Sequence, residues 1–149
     1  MNNQNVNKTL ENLIEVCQDG IKNYRDASEH IIHPDLKTIL YRLSQQRALF
    51  EAELKGDMRE LGGNPDEISD NDLKSTLHQA WLNFKSGLNG EDTNAILNQC
   101  KKIESTAMRK YEDALSNELP TYIKDKVEQQ YKLIRGAYDQ LVEFQQNPS

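Results

Sequence analysis

Residues 34–65 read PDLKTILYRLSQQRALFEAELKGDMRELGGNP, and this stretch contains both ends and the inner face of one long helix. Pro34 suits the first turn of a helix, and Gly62 followed by Pro65 is typical of a helix end. Between them, apolar side chains recur every three or four residues, which predicts an amphipathic helix; they are Leu36, Leu40, Leu43, Phe50, Leu54, Met58 and Leu61. Arg47 stands on the same stripe, so this helix carries a charge on its core face.

The same spacing continues on both sides of this helix, and no strand pattern interrupts it. It predicts four further helices: one over about residues 6–30, a shorter one capped by Ser69 or Asp70 and ending within residues 86–90, one capped by Asp92 or Thr93, and a last one after Pro120. His78 is expected at a polar edge of the short helix, and Trp81 in the core. One domain over residues 1–149 is expected, with its core at about 6–144.

Helix length and loop length together predict how these helices are connected. The first and second helices, and the fourth and fifth, are joined by short loops and must therefore be antiparallel pairs. The short third helix can carry the chain back along the bundle. The predicted fold is all-α: a ferritin-like four-helix bundle with an additional short crossover helix between the second and third bundle helices. An irregular five-helix array is the alternative.

Composition excludes several classes of protein. The 149 residues carry a net charge of −6, which argues against non-specific binding to nucleic acid or to an anionic membrane. The polar N-terminus has no apolar segment typical of a signal peptide, and no run of about 18 apolar residues occurs. Two cysteines, Cys17 and Cys100, are too few for a disulfide scaffold. We expect a cytoplasmic protein.

Several short motifs, taken in their order and spacing, are similar to one known family. They are Arg47 with Phe50 and Leu54, Gly62-Gly63-Asn64-Pro65, Leu77-His78-Gln79-Ala80-Trp81, Lys85 with Leu88 and Gly90, Ala95-Ile96-Leu97, Cys100 with Glu104, Tyr111 with Ala114-Leu115, and Leu119-Pro120. The chain resembles the bacterial ferritin-like four-helix-bundle family known as domain of unknown function 2383, over about residues 6–144. The resemblance implies the bundle fold and an association with stress-related genes, and it implies no activity.

Ferritin-like bundles commonly hold two metal ions, so a metal site is the first chemistry to consider. Such a site takes a Glu from each of two helices and a Glu-x-x-His pair from each of the other two. The chain contains no Glu-x-x-His. His30 and His33, followed by Asp35, are candidates for a surface zinc site. Glu104 and Glu128 are candidates for an atypical centre inside the bundle; otherwise, no cofactor is expected.

Arg47 and Glu104 are predicted to meet inside the bundle. Each lies 12 residues beyond the expected start of its helix, so in parallel helices both lie about 18 Å along the bundle. We expect a buried, hydrogen-bonded ion pair, with Gln130 or Tyr131 completing a polar layer. The alternative is that Arg47 extends its guanidinium to solvent at the bundle edge.

Three functions therefore stay open. The first is a non-enzymatic, stress-associated structural or interaction protein that lacks a di-iron site. The second is an oxidoreductase or iron-storage protein with atypical di-iron or manganese ligands, and the third is a module that binds a small ligand. Ile39, Leu49 and Val142 lie off the main stripes, and either the third helix or another subunit could cover them. A second copy of the chain or another protein is therefore the kind of partner that the sequence leaves open.

Overall fold

A computed structural model of the chain describes residues 2–68, 76–87 and 92–147. Within these residues the protein is all-helical and has no strand, as predicted. The helices are α1 (Asn3–His30), α2 (Pro34–Glu60), α3 (Thr76–Lys85), α4 (Thr93–Leu115) and α5 (Thr121–Gln146), and a 3-10 turn spans Pro65–Glu67. In the same part of the chain, no helix is long and apolar enough to cross a membrane.

Side chains at the helix ends explain where the helices begin and stop. The Asn2 side chain accepts a hydrogen bond from the Gln4 amide, so α1 starts three residues before the predicted position. His33 caps α2, with Pro34 in its first turn. Gly62 has φ of 82° and follows the last turn of α2, where a residue with a side chain would be strained.

Contacts at both ends of each helix fix their directions. The Asn7 side chain near the start of α1 donates to the Leu61 carbonyl beyond the end of α2, so these helices are antiparallel. Gln145 near the end of α5 donates to Asn98 near the start of α4, and that pair is antiparallel too.

α1 and α4 are also antiparallel. Asn117, just beyond α4, donates to Thr9 near the start of α1, and Tyr24 donates to the Cys100 carbonyl in the first third of α4. Because α1 is antiparallel to both α2 and α4, α2 and α4 run parallel. This is the predicted single-crossover connection.

The short helix α3 lies along α1 and returns the chain from the end of α2 to the level where the parallel helix α4 begins. Its residues His78 and Lys85 contact Asn23 and Asp26, so α3 runs in the same direction as α1. The structure describes 10 residues of α3, Thr76–Lys85, and residues 69–75, where the sequence predicts its first turns, lie outside the described part of the chain. The proposed caps Ser69 and Asp70 lie outside the described residues.

The core consists of two apolar clusters, one in each half of the bundle. One cluster includes Phe50 of α2 and Ala107 of α4, and the other includes Leu43 of α2 and Ile103 of α4. Arg47 and Glu104 occupy the level between them. The middle of the bundle is therefore polar, while the core on either side of it is apolar.

Candidate functional site

Arg47 and Glu104 form a bidentate ion pair at the centre of the bundle. Arg47 Nη1 lies 2.7 Å from Glu104 Oε1, and Nη2 lies 2.5 Å from Oε2. Both side chains are 0% exposed. Two parallel N–H···O bonds match the planar guanidinium to the planar carboxylate, which is the strongest geometry such a pair adopts. The structure therefore places Arg47 inside the core and not at the bundle edge.

Gly20 on the neighbouring helix makes room for the Arg47 side chain. A Cβ atom built on Gly20 would lie 2.9 Å from Arg47 Cγ and 3.5 Å from its Cβ and Cδ atoms. Real Cβ contacts are longer than the first of these distances. The aliphatic stem of Arg47 therefore packs directly on the backbone of α1, and any larger residue at position 20 would displace it.

Other groups surround the guanidinium. The Tyr24 ring lies under Arg47, with 5.5 Å from Cζ to the ring centroid, which is a cation–π contact. Arg47 Nε donates to the Gln46 side-chain oxygen at 3.3 Å. The Tyr24 hydroxyl itself donates to the Cys100 carbonyl at 3.4 Å. The buried charge thus has a counter-ion, hydrogen bonds and an aromatic face.

The protonation states that follow keep this centre as an ion pair with neutral neighbours. Burial on its own would lower the pKa of Arg47, but the charge and hydrogen bonds of Glu104 outweigh it and hold that pKa above its usual value. Burial raises the pKa of Tyr24, and the Glu104 charge adds to the effect. Burial likewise raises the pKa of the Cys17 thiol to about 11.

Gln130 is buried beside a second polar group, not beside the ion pair. Its Oε1 accepts from the Tyr111 hydroxyl at 2.7 Å, and its Nε2 donates to Glu53 at 3.3 Å. The Cys17 sulfur lies 3.5 Å from the same hydroxyl. These contacts link α1, α2, α4 and α5 about two turns along α4 from Glu104, so Gln130 supports the bundle without satisfying the guanidinium.

The prediction that Tyr131 could share the buried layer is wrong. Its side chain is only half-buried at the edge of the apolar core, and its hydroxyl donates to the exposed Glu112 at 2.5 Å. Consecutive residues of a helix are about 100° apart around its axis, so Gln130 and Tyr131 cannot both face the centre. The hydrogen bond to Glu112 raises the pKa of Tyr131.

The four metal-ligand candidates do not come together. The His30 ring nitrogen Nδ1 donates to the Asp26 carbonyl, and His33 Nδ1 accepts from the Leu36 amide while its ring packs on Phe144. Glu104 is bound by Arg47, and Glu128 lies half-buried on α5. Among the described residues, no group of three or more His, Cys, Asp or Glu side chains could hold a metal ion.

A second polar cluster, between α1 and α3, has no signal in the sequence pattern. The Trp81 indole and the Lys85 ammonium both donate to Asp26 Oδ2, at 2.7 Å and 2.9 Å. His78 Nδ1 lies 2.5 Å from Asn23 Oδ1, and His78 is buried, so its predicted place at a polar edge is wrong. Trp81 is in the core as predicted. These contacts hold the crossover helix on the bundle.

A family model described as "Domain of unknown function (DUF2383)" matches residues 5–117. The chain belongs to the DUF2383 family. The matched residues include α1 to α4 and therefore both members of the ion pair. No curated protein matches the chain. The comparison thus confirms the predicted DUF2383 membership, and its ferritin-like and bacterial affiliation stays a prediction.

Proposed function

We propose that this DUF2383 protein is a non-catalytic helical bundle that acts through contacts between its outer surface and other protein molecules. One observation carries the proposal: the Arg47–Glu104 ion pair fills the centre of the bundle and is shielded from solvent. Helical bundles build their metal and cofactor sites in this central region, from side chains on facing helices.

The chemistry of the pair supports this proposal. A guanidinium has N–H donors but no lone pair, so Arg47 cannot ligate a metal ion, and its charge repels a cation. Both oxygens of Glu104 already accept hydrogen bonds from Arg47. A cation at this position would have to displace Arg47 and leave its charge buried without a partner, which is strongly unfavourable.

The buried ionisable groups around the pair give further support. Catalytic acids, bases and nucleophiles need pKa values close to the working pH. Here burial moves the pKa values of Cys17, Tyr24 and Tyr111 upwards, away from neutrality. These thiol and phenol groups therefore stay protonated at pH 7, which suits a structural role better than nucleophilic or proton-transfer chemistry.

The biological setting of this function is part of the proposal. We infer a ferritin-like bundle that works in the bacterial cytoplasm in association with stress responses. The single-crossover connection supports the ferritin-like assignment. Two buried, unpaired cysteines are in keeping with a reducing compartment. Cell fractionation, with and without oxidative or starvation stress, tests both the location and the association.

Metal content and ferrous oxidation test the central proposal. The protein is purified without chelators, its iron and manganese are quantified, and added Fe²⁺ is followed in air against buffer alone. We expect less than about 0.1 metal ion per chain and oxidation at the buffer rate, since the ion pair has no free ligand. Stoichiometric metal with turnover would instead support the oxidoreductase or storage hypothesis.

Native mass spectrometry tests the small-ligand hypothesis on the same preparation. The proposal predicts species whose masses are whole multiples of the chain mass of 17.2 kDa, with no added organic molecule. A reproducible added mass that disappears on denaturation would support a ligand-binding module.

A further inference from the structure

The exposed large apolar side chains of the described residues are confined to two neighbouring helices and the loop between α1 and α2. They lie on α2, on α5 or in the loop before α2, and none lies on α1, α3 or α4; they are Ile32, Tyr41, Leu49, Tyr122 and Leu133. Exposed apolar residues scattered singly need no explanation, but their restriction to two neighbouring helices marks a surface for contact.

Hydrogen bonds across α2 and α5 place two of these residues at the same level. Asp57 accepts from Lys126 at 2.9 Å, and one turn earlier on α2, Glu53 accepts from Gln130. Because the two helices are antiparallel, the next turn brings Leu49 level with residue 134 and thus beside Leu133. These two leucines, 60% and 50% exposed, form the middle of the outer α2–α5 face.

Small side chains beside Leu49 leave this face open. Ala52, three residues after Leu49 and so beside it on the helix surface, is exposed, and nothing lies within 4 Å of a Cβ atom built on Gly56. Another helix could therefore approach the backbone of α2 closely over this stretch.

Charged side chains lie near both ends of an outer stripe of α2 that Arg42, Leu49 and Gly56 define, and their signs are opposite. Arg42 comes seven residues before Leu49 and Gly56 seven after it, so all three lie within about 20° of one line along the helix. Glu53 and Glu60 flank Gly56 on this side of α2. Within the described residues, neither Arg42 nor Glu60 has an ion-pair partner. Between residues 42 and 60, this stripe is therefore basic at its start and acidic at its end.

We propose that the α2–α5 face binds a second copy of this chain, with the two α2 helices antiparallel and Leu49 on the two-fold axis. In this arrangement Arg42 of each copy is level with Gly56 of the other. Glu53 and Glu60 of that copy lie on either side of this level, about 4.5 Å and about 6 Å away along the helix, within reach of the guanidinium. The surface is therefore complementary to itself, as a two-fold interface requires.

The face is also large enough for a stable dimer. With Leu49 on the axis, residues 38–60 of the two α2 helices overlap over about 35 Å, and two packed helices are about 20 Å wide. The product, about 700 Å² on each partner, is typical of a specific protein–protein interface. This inference rests on the proposed function and deepens it, because it names the partner for the outer surface.

Molar mass in solution tests the dimer. Size-exclusion chromatography with light scattering, at about 50 μM chain, should give roughly 34 kDa for the wild type, which is two chains of 17.2 kDa. Leu49→Glu should give one chain mass, because it places two carboxylates on the axis. The matched control is Ile32→Glu. Ile32 is 64% exposed but lies in the loop before α2, outside the proposed contact, so this variant should stay dimeric.

A charge exchange tests the arrangement of the two copies. Arg42→Glu should weaken dimerisation by about tenfold or more, since it faces Glu53 and Glu60 of the other copy. Arg42→Glu combined with Glu60→Arg should recover most of that loss. A monomeric wild type, a dimeric Leu49→Glu, or a double variant no tighter than Arg42→Glu would overturn the proposal. Metal content is measured on the same samples. A monomeric protein without metal would overturn only the dimer, whereas stoichiometric metal would contradict the proposed non-catalytic function.

Discussion

Replacing Gly20 by alanine tests how tightly the ion pair is packed. The new Cβ atom would lie 2.9 Å from Arg47 Cγ, closer than real Cβ contacts come. Arg47 cannot move away freely, because its guanidinium is held by two hydrogen bonds to Glu104 in a fully buried site. Either the two helices separate slightly, or the ion pair loses its bidentate geometry.

The change in unfolding free energy for Gly20→Ala is compared with that for a glycine-to-alanine substitution at an uncrowded helix position. Alanine in place of glycine normally stabilises a helix by about 0.5–1 kcal/mol, while overpacking a core costs about 1–3 kcal/mol. Gly136→Ala is the matched control, because it lies inside α5 with nothing within 4 Å of the added Cβ. We expect Gly20→Ala to be less stable than Gly136→Ala by about 1–3 kcal/mol.

Urea unfolding followed by far-UV circular dichroism at pH 7 measures this difference. The comparison is repeated in an Arg47→Ala background, where the Cγ and Cδ atoms that crowd position 20 are absent. There the penalty for Gly20→Ala should disappear, since nothing opposes the new methyl group. If Gly20→Ala stabilises the wild-type protein as much as Gly136→Ala does, the close packing of Arg47 on α1 is refuted.

Two further predictions concern polar groups outside the ion pair. Burial on its own would raise the pKa of Asp26, but its hydrogen bonds from Lys85 and Trp81 outweigh it and lower that pKa. The stability that Asp26 contributes is therefore present above about pH 4 and is lost as the pH falls through the pKa of Asp26 in the folded state. The difference in urea midpoint between the wild type and Asp26→Asn should therefore become smaller from pH 7 to pH 3. A difference that stays constant would contradict this. Tyr111→Phe should cost about 1–3 kcal/mol of unfolding free energy, because it leaves a buried Gln130 oxygen without its donor. Tyr131→Phe, which removes an exposed hydrogen bond, should change it by less than about 0.5 kcal/mol, and equal costs would contradict the burial of the Tyr111–Gln130 hydrogen bond.

The helices and the depth of Arg47 and Glu104 could be predicted from the sequence for one physical reason. A regular helix rises about 1.5 Å per residue, so residue counts convert into positions along the bundle once the helix directions are known. Proline and glycine at the junctions revealed those directions by limiting the loop lengths. The same regularity explains the error at Tyr131, because a shift of one residue turns a side chain by about 100°.

The cluster between α1 and α3 could not be predicted in this way. Asn23 and Asp26 lie beside the apolar stripe of α1, where polar residues ordinarily face solvent. Their burial depends on α3 crossing at that level, and this is a tertiary contact that no local pattern contains. The role of Gly20 is similar, because its importance comes from the side chain that another helix places against it.

A double-mutant cycle between Arg47 and Glu104 tests most directly whether the ion pair fills the bundle centre. Arg47→Met and Glu104→Leu should each lower the unfolding free energy by about 3–5 kcal/mol, because each leaves the other charge buried without a partner. The double variant should lie within about 1 kcal/mol of the wild type, which gives a coupling energy of several kcal/mol. Single variants that each cost less than about 1 kcal/mol, with effects that simply add, would contradict the account.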